Sequence, residues 1–483
     1  MNQRSPGDAG SEANFGHSRT DLLWAPRAWV GGGWQDHVLL KIGQGGCWSS
    51  VTAGVTTPPP GAQVLAGPAL PGLVDAHSHA FQRAFAGLSE RRENTADDFW
   101  SWRDRMYKVA LRIGPQALRA ITAQLAVELM QGGYTQLVEF HYLQHDRDGL
   151  PYADPLTLGW AIADGAAEAG IGLTLMPALY ERAGFAQPAL RADQRRFRAS
   201  ADDVWAAAKT IADSGRSNLN AGLVVHSLRA AAPESIRRLR QLADGYSGPI
   251  HIHVSEQHAE VDECVCITGQ RPIEWLATQG FLDSRWQLVH ATQVVPGEID
   301  AVAASGAGVV VCPTTEANLG DGLTDLPGWL AAGVPIAIGS DSHASRDALE
   351  ELRWLEYGQR LVRQQRNVAA SPQDGQPSTA AHLFNRVSAG GGSAAGYRQW
   401  GLVVGARADL LVADPGTASL LGLPSGNALD ALVFSSPSRP WRDVMVGGQW
   451  AVQDHLHPRG SAIAYRFTRA MREIWDHTAE EST

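Results

Sequence analysis

Cysteine is scarce in this sequence, and its scarcity excludes two common ways of stabilising a fold. The chain has 483 residues and only 4 cysteines, Cys47, Cys264, Cys266 and Cys312. They do not form the dense framework of paired cysteines typical of small secreted domains, and they contain no Cys-x-x-Cys zinc motif. We therefore expect four reduced, buried thiols and a fold that depends on its hydrophobic core.

Positive clusters and long apolar runs are also missing. The formal net charge is −10 at pH 7, and no group of Lys and Arg residues is arranged to follow a phosphate backbone, which argues against a nucleic-acid partner. No apolar run approaches the roughly 20 residues of a membrane-spanning helix. Residues 1–20 lack the apolar core of a signal peptide. These absences predict a cytoplasmic protein that binds neither nucleic acid nor a membrane.

The composition is that of an ordinary globular protein with material for a large core. Hydrophobic residues make up 44% of the chain and charged residues 19%. Residues 1–19 are rich in Gly, Ser and Asn and lack periodicity, so we predict a disordered leader there.

Both ends of the remaining chain carry the pattern of short β-strands. In residues 20–69, short apolar segments alternate with Gly-rich turns. Similar segments return after Leu402, at Asp409–Ala413, Ala431–Phe434, Val444–Val446 and Trp450–Val452, and a helix is predicted over 464–475. We predict one small β-sandwich domain made from residues 20–69 and 402–475, with another domain inserted between its halves.

Strand-like and helix-like segments alternate through that insertion, residues 70–401. A first strand begins at Leu70, and seven more follow at Tyr134–Tyr142, Ile171–Leu179, Asn220–Ser227, Pro249–Ser255, Trp286–Ala291, Gly308–Thr314 and Pro335–Asp341. Helical stretches between them include Gln116–Gln131, Ala153–Ala169, Ala201–Ala212, Pro233–Ala243, Pro272–Thr278, Gly297–Ala304 and Leu326–Ala332. Eight such repeats predict an α/β fold, a (β/α)₈ barrel whose active site lies at the C-terminal ends of the strands.

Polar residues recur at those predicted strand ends. Seven of the eight strands end in or just before side chains that can do chemistry: His77, His79, His141, Tyr142, His226, His253, Glu256, His290, Thr314, Thr315, Asp341 and His343. Strands that were merely buried would not show this recurrence.

Four of these residues have the chemistry of a metal site. His77 and His79 are two apart on one strand, so they project from the same face and can reach one ion. His253 offers a third imidazole, although His251 shares its face, so that one or both can reach the barrel mouth. Asp341 adds a carboxylate ligand that can also act as a base for the attacking water. Neutral imidazoles with a carboxylate are suited to zinc.

Two further residues complete a hydrolytic constellation. Glu256 follows His253 by three residues, and a carboxylate beside a metal site that is not itself a ligand can move protons during hydrolysis. His290 can polarise the substrate or stabilise charge on the carbon that is attacked. We therefore predict Glu256, His290 and Asp341 as catalytic residues.

The ligand order His-x-His, His, His, Asp and the split β-domain resemble the amidohydrolase superfamily over nearly the whole chain. The spacing His253-x-x-Glu256 is similar to that of its deaminases with a single metal. Branches with two metals use a carbamylated lysine as a bridge, but Lys41, Lys108 and Lys209 are the only lysines here and none is at a predicted strand end. The resemblance implies one divalent ion per chain, with zinc favoured and iron or manganese left open.

Several separated segments resemble the formimidoylglutamate deiminase family within that superfamily. They are His77–Arg83, Phe99–Arg103, Glu139–Tyr142, His226–Ala230 and Cys312–Gly322. The resemblance implies hydrolysis of a formimino group to a formyl group with release of ammonia, as in histidine degradation, by a homodimer. It also implies a small anionic substrate with two carboxylates, bound by Gln82, Arg103, Tyr142, His226 and Arg229; guanidiniums are suited to carboxylates.

Other interpretations stay open at this point. A different amidohydrolase deaminase, acting on a heterocycle such as guanine, would share the metal site without needing two arginines, and a non-catalytic barrel would be expected to have lost ligands. The run Arg191–Arg198 is interpreted as a solvated helix face, and Gly390–Ser393 as a Gly-rich turn. His343 is a candidate for supporting the site from behind, but its spacing assigns it no role.

Overall fold

The structure is a computed structural model that describes residues 21–92, 99–435 and 439–476. The predicted leader, residues 1–19, lies outside the described residues. The described chain forms two sheets, one antiparallel for the most part and one wholly parallel in its main path.

The chain begins with strands of the first sheet. These are β1 Leu22–Val30, β2 Gly33–Ile42, β3 Trp48–Thr52, β4 Gln63–Val64 and β5 Ala69–Leu70. β1 pairs antiparallel with β2 along its whole length, and β2 pairs with β3. The second half of β2 alternates, with Val38, Leu40 and Ile42 buried on one face, since successive side chains of a strand point to opposite sides. β1 is buried on both faces at Leu23–Ala25.

The parallel sheet follows and has the predicted barrel order. Its strands are β6 Leu73–Ser78, β7 Tyr134–His141, β8 Gly172–Leu179, β9 Leu219–Ala221, β10 Leu223–Ser227, β11 Ile250–Val254, β12 Trp286–His290, β13 Gly308–Val311 and β14 Ile336–Ile338. Neighbouring strands pair in chain order from β6 to β14. The short β9 is the exception, because it pairs only with the first part of β8. The first and last strands approach through a parallel bridge between Ser78 and Asp341. The sheet is therefore a nearly closed eight-stranded barrel, which confirms the predicted fold class.

The first sheet is completed by strands from the C-terminal part of the chain, as predicted. They are β15 Leu410–Ala413, β16 Trp441–Val446 and β17 Gln449–Val452. β15 pairs antiparallel with β5, where Leu411 lies opposite Leu70. Leu70 therefore belongs to this sheet and not to the barrel strand in which the sequence placed it. The break falls at Gly72, where a Cβ atom would lie only 2.2 Å from the Thr135 hydroxyl oxygen.

Helices alternate with the barrel strands and continue beyond them. They are α1 Phe99–Ala110, α2 Pro115–Gln131, α3 Thr157–Ala169, α4 Ala201–Ala212, α5 Pro233–Leu242, α6 His258–Thr268, α7 Pro272–Thr278, α8 Pro296–Ser305, α9 Pro313–Leu319, α10 Leu326–Ala331, α11 Ala348–Arg363, α12 Thr379–Ala394, α13 Ala428–Phe434 and α14 Gly460–Trp475. None of the helices in the described ranges combines the length and the hydrophobicity needed to cross a bilayer.

Three local predictions are wrong. Ala431–Phe434 is not a strand but the end of helix α13. Gly390–Ser393 is not a turn, because these residues lie inside helix α12. The run Arg191–Arg198 is not a solvated helix face: it holds a short 3₁₀ helix, and three of its side chains are buried, those of Gln194, Arg196 and Phe197.

The glycines of α12 allow this helix to pack closely on the barrel. A Cβ atom at Gly390 would lie 2.0 Å from the Ile336 carbonyl oxygen, so only glycine fits there. The end of the helix faces the interior of the barrel, where the carbonyl of Ala394 accepts a hydrogen bond of 2.9 Å from His251 Nε2. The His251 ring therefore binds the end of helix α12, and His253 is the histidine of this strand that reaches the mouth of the barrel.

All four cysteines are free, but the expectation that they are buried holds for only two of them. Cys264 and Cys312 are buried, whereas Cys47 is half-buried and Cys266 is exposed. Cys266 lies on helix α6, whose apolar residues are not confined to the buried face.

Candidate active site

The four predicted metal ligands lie together at the C-terminal ends of the barrel strands. His77 and His79 come from β6, His253 from β11, and Asp341 from the turn after β14. The Nε2 atoms of His77 and His253 are 3.1 Å apart. One carboxylate oxygen of Asp341 lies 3.3 Å from His77 Nε2 and 3.4 Å from His79 Nε2. All four side chains are buried.

This donor set fits a divalent cation. Burial, followed by the effect of neighbouring imidazoles, lowers the pKa of His79 to about 3 and holds the pKa values of His77 and His253 well below 6.5. The three rings are therefore neutral, and a neutral imidazole presents a lone pair. His79 Nδ1 lies 3.0 Å from the Phe140 carbonyl oxygen, so it donates there and Nε2 faces the site. The Nε2 atoms of His77 and His253, 3.1 Å apart, are close enough for both to bind the same cation.

The backbone at these strand ends is held in an unusual conformation. Five residues at the ends of β11, β12 and β14 have positive φ angles: Ser255 at 53°, His290 at 70°, Ala291 at 46°, Asp341 at 46° and His343 at 65°. Residues other than glycine rarely adopt this conformation, and such strain is concentrated at functional sites.

Two predicted catalytic side chains, Glu256 and His290, lie beside the metal ligands, next to Asp341, which is predicted both as a ligand and as a catalytic residue. His290 Nε2 lies 3.7 Å from Glu256 Oε1 and 3.9 Å from Asp341 Oδ2. Burial raises the pKa of Glu256, although His290 and Arg229 oppose the rise. Burial lowers the pKa of His290, but Glu256 and the other nearby carboxylates outweigh it and bring that pKa to about 10. The arrangement pairs a carboxyl group that can carry a proton with a cationic imidazole.

Glu316 is a buried part of this constellation that the sequence analysis did not single out. Its Oε1 atom lies 3.4 Å from His290 Nδ1 and accepts a 2.9 Å hydrogen bond from the backbone N–H of Cys312. The carboxylate therefore orients the His290 ring and supports its positive charge from the side away from Glu256. The only sequence signal for Glu316 was that it lies in Cys312–Gly322, one of the segments that resemble the deiminase family.

Two more buried carboxylates, Asp75 and Glu139, fix the backbone that carries the ligands. Asp75 accepts hydrogen bonds from the Ser340 hydroxyl at 2.6 Å and the Ser340 N–H at 2.8 Å, which ties β6 to the turn that holds Asp341. Glu139 accepts from the Ala80 N–H at 2.8 Å and 2.9 Å, directly after His79. Neither role could be predicted from spacing along the chain.

His343 contacts two of the segments that carry metal ligands. Its Nε2 atom lies 3.1 Å from the His79 carbonyl oxygen, and its Nδ1 atom lies 3.0 Å from the Ser340 hydroxyl. The ring thus links the His-x-His segment to the turn before Asp341.

A cleft opens above these groups. All five predicted substrate-binding residues line it: Gln82, Arg103, Tyr142, His226 and Arg229. The Gln82 side-chain amide donates to the Tyr142 hydroxyl at 3.0 Å, while its carbonyl oxygen is buried without a partner. Tyr107 and Tyr180 also line the cleft with hydroxyls 3.2 Å apart, and the sequence analysis did not identify them.

The two arginines of the cleft lie on one tryptophan. The guanidinium carbon of Arg103 is 4.5 Å from the centre of the Trp100 ring, and that of Arg229 is 5.6 Å from it. Arg229 is buried, and its Nη2 atom lies 3.8 Å from Glu256 Oε2. The Trp100 ring interacts favourably with both guanidiniums and so offsets part of the repulsion between their two positive charges.

This fold and site define the class of protein. Residues 69–451 match the model of the amidohydrolase family, and the chain belongs to that family, whose members depend on metal ions. Among curated proteins, it is 42% identical over 456 residues to the formimidoylglutamate deiminase of Pseudomonas aeruginosa, covering 94% of this chain and 99% of the relative.

Other relatives are more distant. A 5-methylthioadenosine/S-adenosylhomocysteine deaminase of Natronomonas pharaonis is 27% identical, over 80% of this chain and 81% of that protein. Among solved structures, an amidohydrolase from Brucella melitensis matches with a TM-score of 0.88 and 37% identity, covering 94% of this chain and 99% of that chain. An adenosine deaminase from Xanthomonas campestris with bound zinc, at 21% identity and a TM-score of 0.77 over 94% and 98% of the two chains, shows the same fold.

Proposed function

We propose that this protein hydrolyses N-formimino-L-glutamate to N-formyl-L-glutamate and ammonia, the reaction of a formimidoylglutamate deiminase in histidine degradation. The similarity to the Pseudomonas aeruginosa enzyme over nearly the whole of both chains supports this activity. The choice of substrate rests on one observation: the guanidiniums of Arg103 and Arg229 line the same cleft as the buried group of possible metal ligands. The substrate has two carboxylates, which two guanidiniums are suited to bind.

We propose that His77, His79, His253 and Asp341 hold one divalent ion, with zinc favoured. Such an ion supplies Lewis acidity, which makes hydroxide available near neutral pH. Three imidazoles and a carboxylate suit zinc, and iron and manganese accept the same types of ligand.

The side chains around that ion can carry the protons of the reaction. Water adds to the amidine carbon, and Asp341 accepts its proton. Glu256, with its raised pKa, protonates the terminal nitrogen, while His290 stabilises charge at the carbon that is attacked. Asp341 then passes its proton to the terminal nitrogen, the bond between that nitrogen and the carbon breaks, and ammonia leaves. The Glu256 carboxylate takes the hydroxyl proton of the intermediate, so the oxygen becomes the formyl oxygen and both acidic groups return to their starting states.

The remaining groups of the cleft are proposed to hold the glutamate moiety. Arg103 and Arg229 bind its carboxylates, with Gln82, Tyr142 and His226 as further polar contacts. Each charge-assisted contact with a desolvated carboxylate is worth roughly 1.5–3 kcal/mol. This binding energy acts far from the amidine carbon and selects the substrate.

Arg229→Met should separate substrate recognition from chemistry. We expect kcat/KM for N-formimino-L-glutamate to fall by roughly 10–150-fold, the equivalent of one charge-assisted contact. The rate with formamidine, a formimino compound without carboxylates, should change much less when each protein is assayed at the pH of its own maximum, because Arg229 also lowers the pKa of Glu256. Steady-state kinetics with ammonia detection measures both.

The matched control is Arg238→Met, which removes a surface guanidinium that pairs with Asp202. It should leave both substrates unaffected. A folded Arg229→Met protein that lost activity equally on both substrates would show that Arg229 does not bind a carboxylate.

The proposed function as a whole is tested by a substrate panel on the unmodified protein. The panel should contain N-formimino-L-glutamate, guanine and adenosine derivatives, since deaminases of 5-methylthioadenosine and S-adenosylhomocysteine are among the relatives. We expect formiminoglutamate to give by far the highest kcat/KM. Faster release of ammonia from a purine would favour a heterocycle deaminase instead.

The organisation of the chain completes the proposal. We propose that residues 70–401 form the catalytic unit, except that Leu70 itself pairs in the first sheet, and that residues 20–69 and 402–475 form the second unit. We further propose a cytoplasmic homodimer that uses no nucleic-acid or membrane partner. Light scattering on the purified protein tests the dimer through its mass.

A further inference from the structure

The arginine-rich segment 191–198 packs against helix α1, the helix that carries Arg103. The side chain of Arg196 is fully buried within this segment. Its Nη1 atom donates to the carbonyl of Ala110 and, at 2.8 Å, to that of Ile113, while its Nε atom donates to the carbonyl of His145 at 2.9 Å. One guanidinium thus binds the end of α1 to the loop that follows β7.

This contact is suited to the end of a helix. The last carbonyls of an α-helix have no partner within the helix, and a cation at that end is favourable. Burial lowers the pKa of Arg196 only to about 10, so the side chain remains charged near neutral pH. The backbone of Arg196 adds to the link, because its carbonyl accepts from the N–H groups of Gln144 at 2.9 Å and His145 at 3.0 Å.

Two other side chains of the segment contact earlier turns of the same helix. Arg191 Nη2 lies 3.1 Å from a carboxylate oxygen of Asp104. The Gln194 amide donates to the Tyr180 hydroxyl at 2.9 Å and lies 3.5 Å from the Tyr107 hydroxyl. With Arg196 at Ala110, the segment therefore holds α1 once in each of three successive turns.

The helix held in this way also lines the cleft. Trp102, Arg103, Met106 and Tyr107 of α1 all face it, and Trp100 lies beneath both guanidiniums. The position of the Arg103 guanidinium over the site is therefore set by the position of α1. A shift of about 1 Å in a positioning group can cost on the order of 10²-fold in rate.

We propose that residues 191–198 form a clamp on helix α1 and that Arg196 is a positioning residue, which sets Arg103 for capture of a substrate carboxylate. The clamp itself touches neither the metal ligands nor the acid–base groups. It therefore governs which substrates are used and leaves the chemical step alone. This inference rests on the proposed function.

Arg196→Met tests the clamp through two substrates. We expect kcat/KM for N-formimino-L-glutamate to fall by roughly 10–100-fold, mainly through KM, because the helix loses its anchor. Turnover of formamidine should change by less than about 3-fold. Arg196→Lys keeps the charge and some of the hydrogen bonds, so it should recover part of the loss. Arg198→Met is the matched control: the side chain of Arg198 is exposed and makes none of the contacts with α1 described above, so this variant should behave as the unmodified protein.

A double-mutant cycle with Arg103→Met distinguishes positioning from general structural support. If Arg196 acts through Arg103, Arg196→Met should cost less than about 3-fold when Arg103 is already absent. Equal loss on both substrates, or a full additional loss in the Arg103→Met background, would overturn the proposal.

Gln194→Leu is the second variant, for use if Arg196→Met fails to fold. It removes a different contact of the clamp, so it should weaken use of N-formimino-L-glutamate but not of formamidine, and only when Arg103 is present. An effect that does not depend on Arg103 would contradict the clamp.

Failure of the proposed function would be seen separately, because the unmodified protein would then not turn over N-formimino-L-glutamate.

Discussion

Replacement of Glu256 by Gln should lower kcat by roughly 10²–10⁴-fold, the usual contribution of a general acid–base group. Glu256 is buried, its pKa is raised, and it lies 3.7 Å from His290, so it can carry a proton that Gln cannot. The metal content should stay normal, because Glu256 is not among the four ligands. Steady-state kinetics and metal analysis on the same preparation measure both effects.

Glu263→Gln provides a matched control for this substitution. Glu263 lies on helix α6, seven residues along the chain, and does not line the cleft. It should retain full activity. Turnover by Glu256→Gln close to that of the unmodified protein would remove Glu256 from the mechanism.

Replacement of His77 by Ala should abolish both metal binding and turnover. His77 is fully buried, and its Nε2 atom lies within 3.3 Å of both His253 and Asp341, so its loss removes one of the four ligands from the centre of the donor set. The unmodified protein should contain about one equivalent of metal per chain, since three imidazoles and one carboxylate complete a single site. Elemental analysis of the two proteins measures the difference.

The control for the loss of an imidazole is His455→Ala, at an exposed position where the ring pairs with Asp414. It should keep metal and activity. A His77→Ala protein with normal metal content and turnover would contradict the ligand assignment.

The barrel and the position of its site could be predicted because they depend on local patterns. Alternation of apolar strands with helices gives the fold, and strand ends meet at one edge of a parallel sheet, so His77, His253, His290 and Asp341 had to be neighbours. The structure places all four within one cluster, as the distances between their side chains show.

What could not be predicted depends on contacts between distant parts of the chain. Glu316 and Glu139 look like ordinary acidic residues until His290 and Ala80 are seen beside them. The arginines of segment 191–198 look like a solvated surface because charge predicts exposure. Arg196 is buried nevertheless, since its guanidinium donates hydrogen bonds to backbone carbonyls more than 50 residues away in the chain.

Glycine caused a similar error in helix α12. Consecutive glycines are typical of a turn, since they lower helix propensity. Here close approach to the barrel outweighs that preference, because a side chain at Gly390 would overlap the Ile336 carbonyl. Packing between elements can reverse a local preference that sequence analysis has to rely on.

The central claim is that this site breaks the bond between the amidine carbon and its terminal nitrogen. Nuclear magnetic resonance of the products formed from N-formimino-L-glutamate tests it most directly, because the other C–N bond of the amidine would give different compounds. We predict N-formyl-L-glutamate and ammonia in equal amounts. Formation of glutamate and formamide, or no reaction by protein that carries its full complement of metal, would contradict the account.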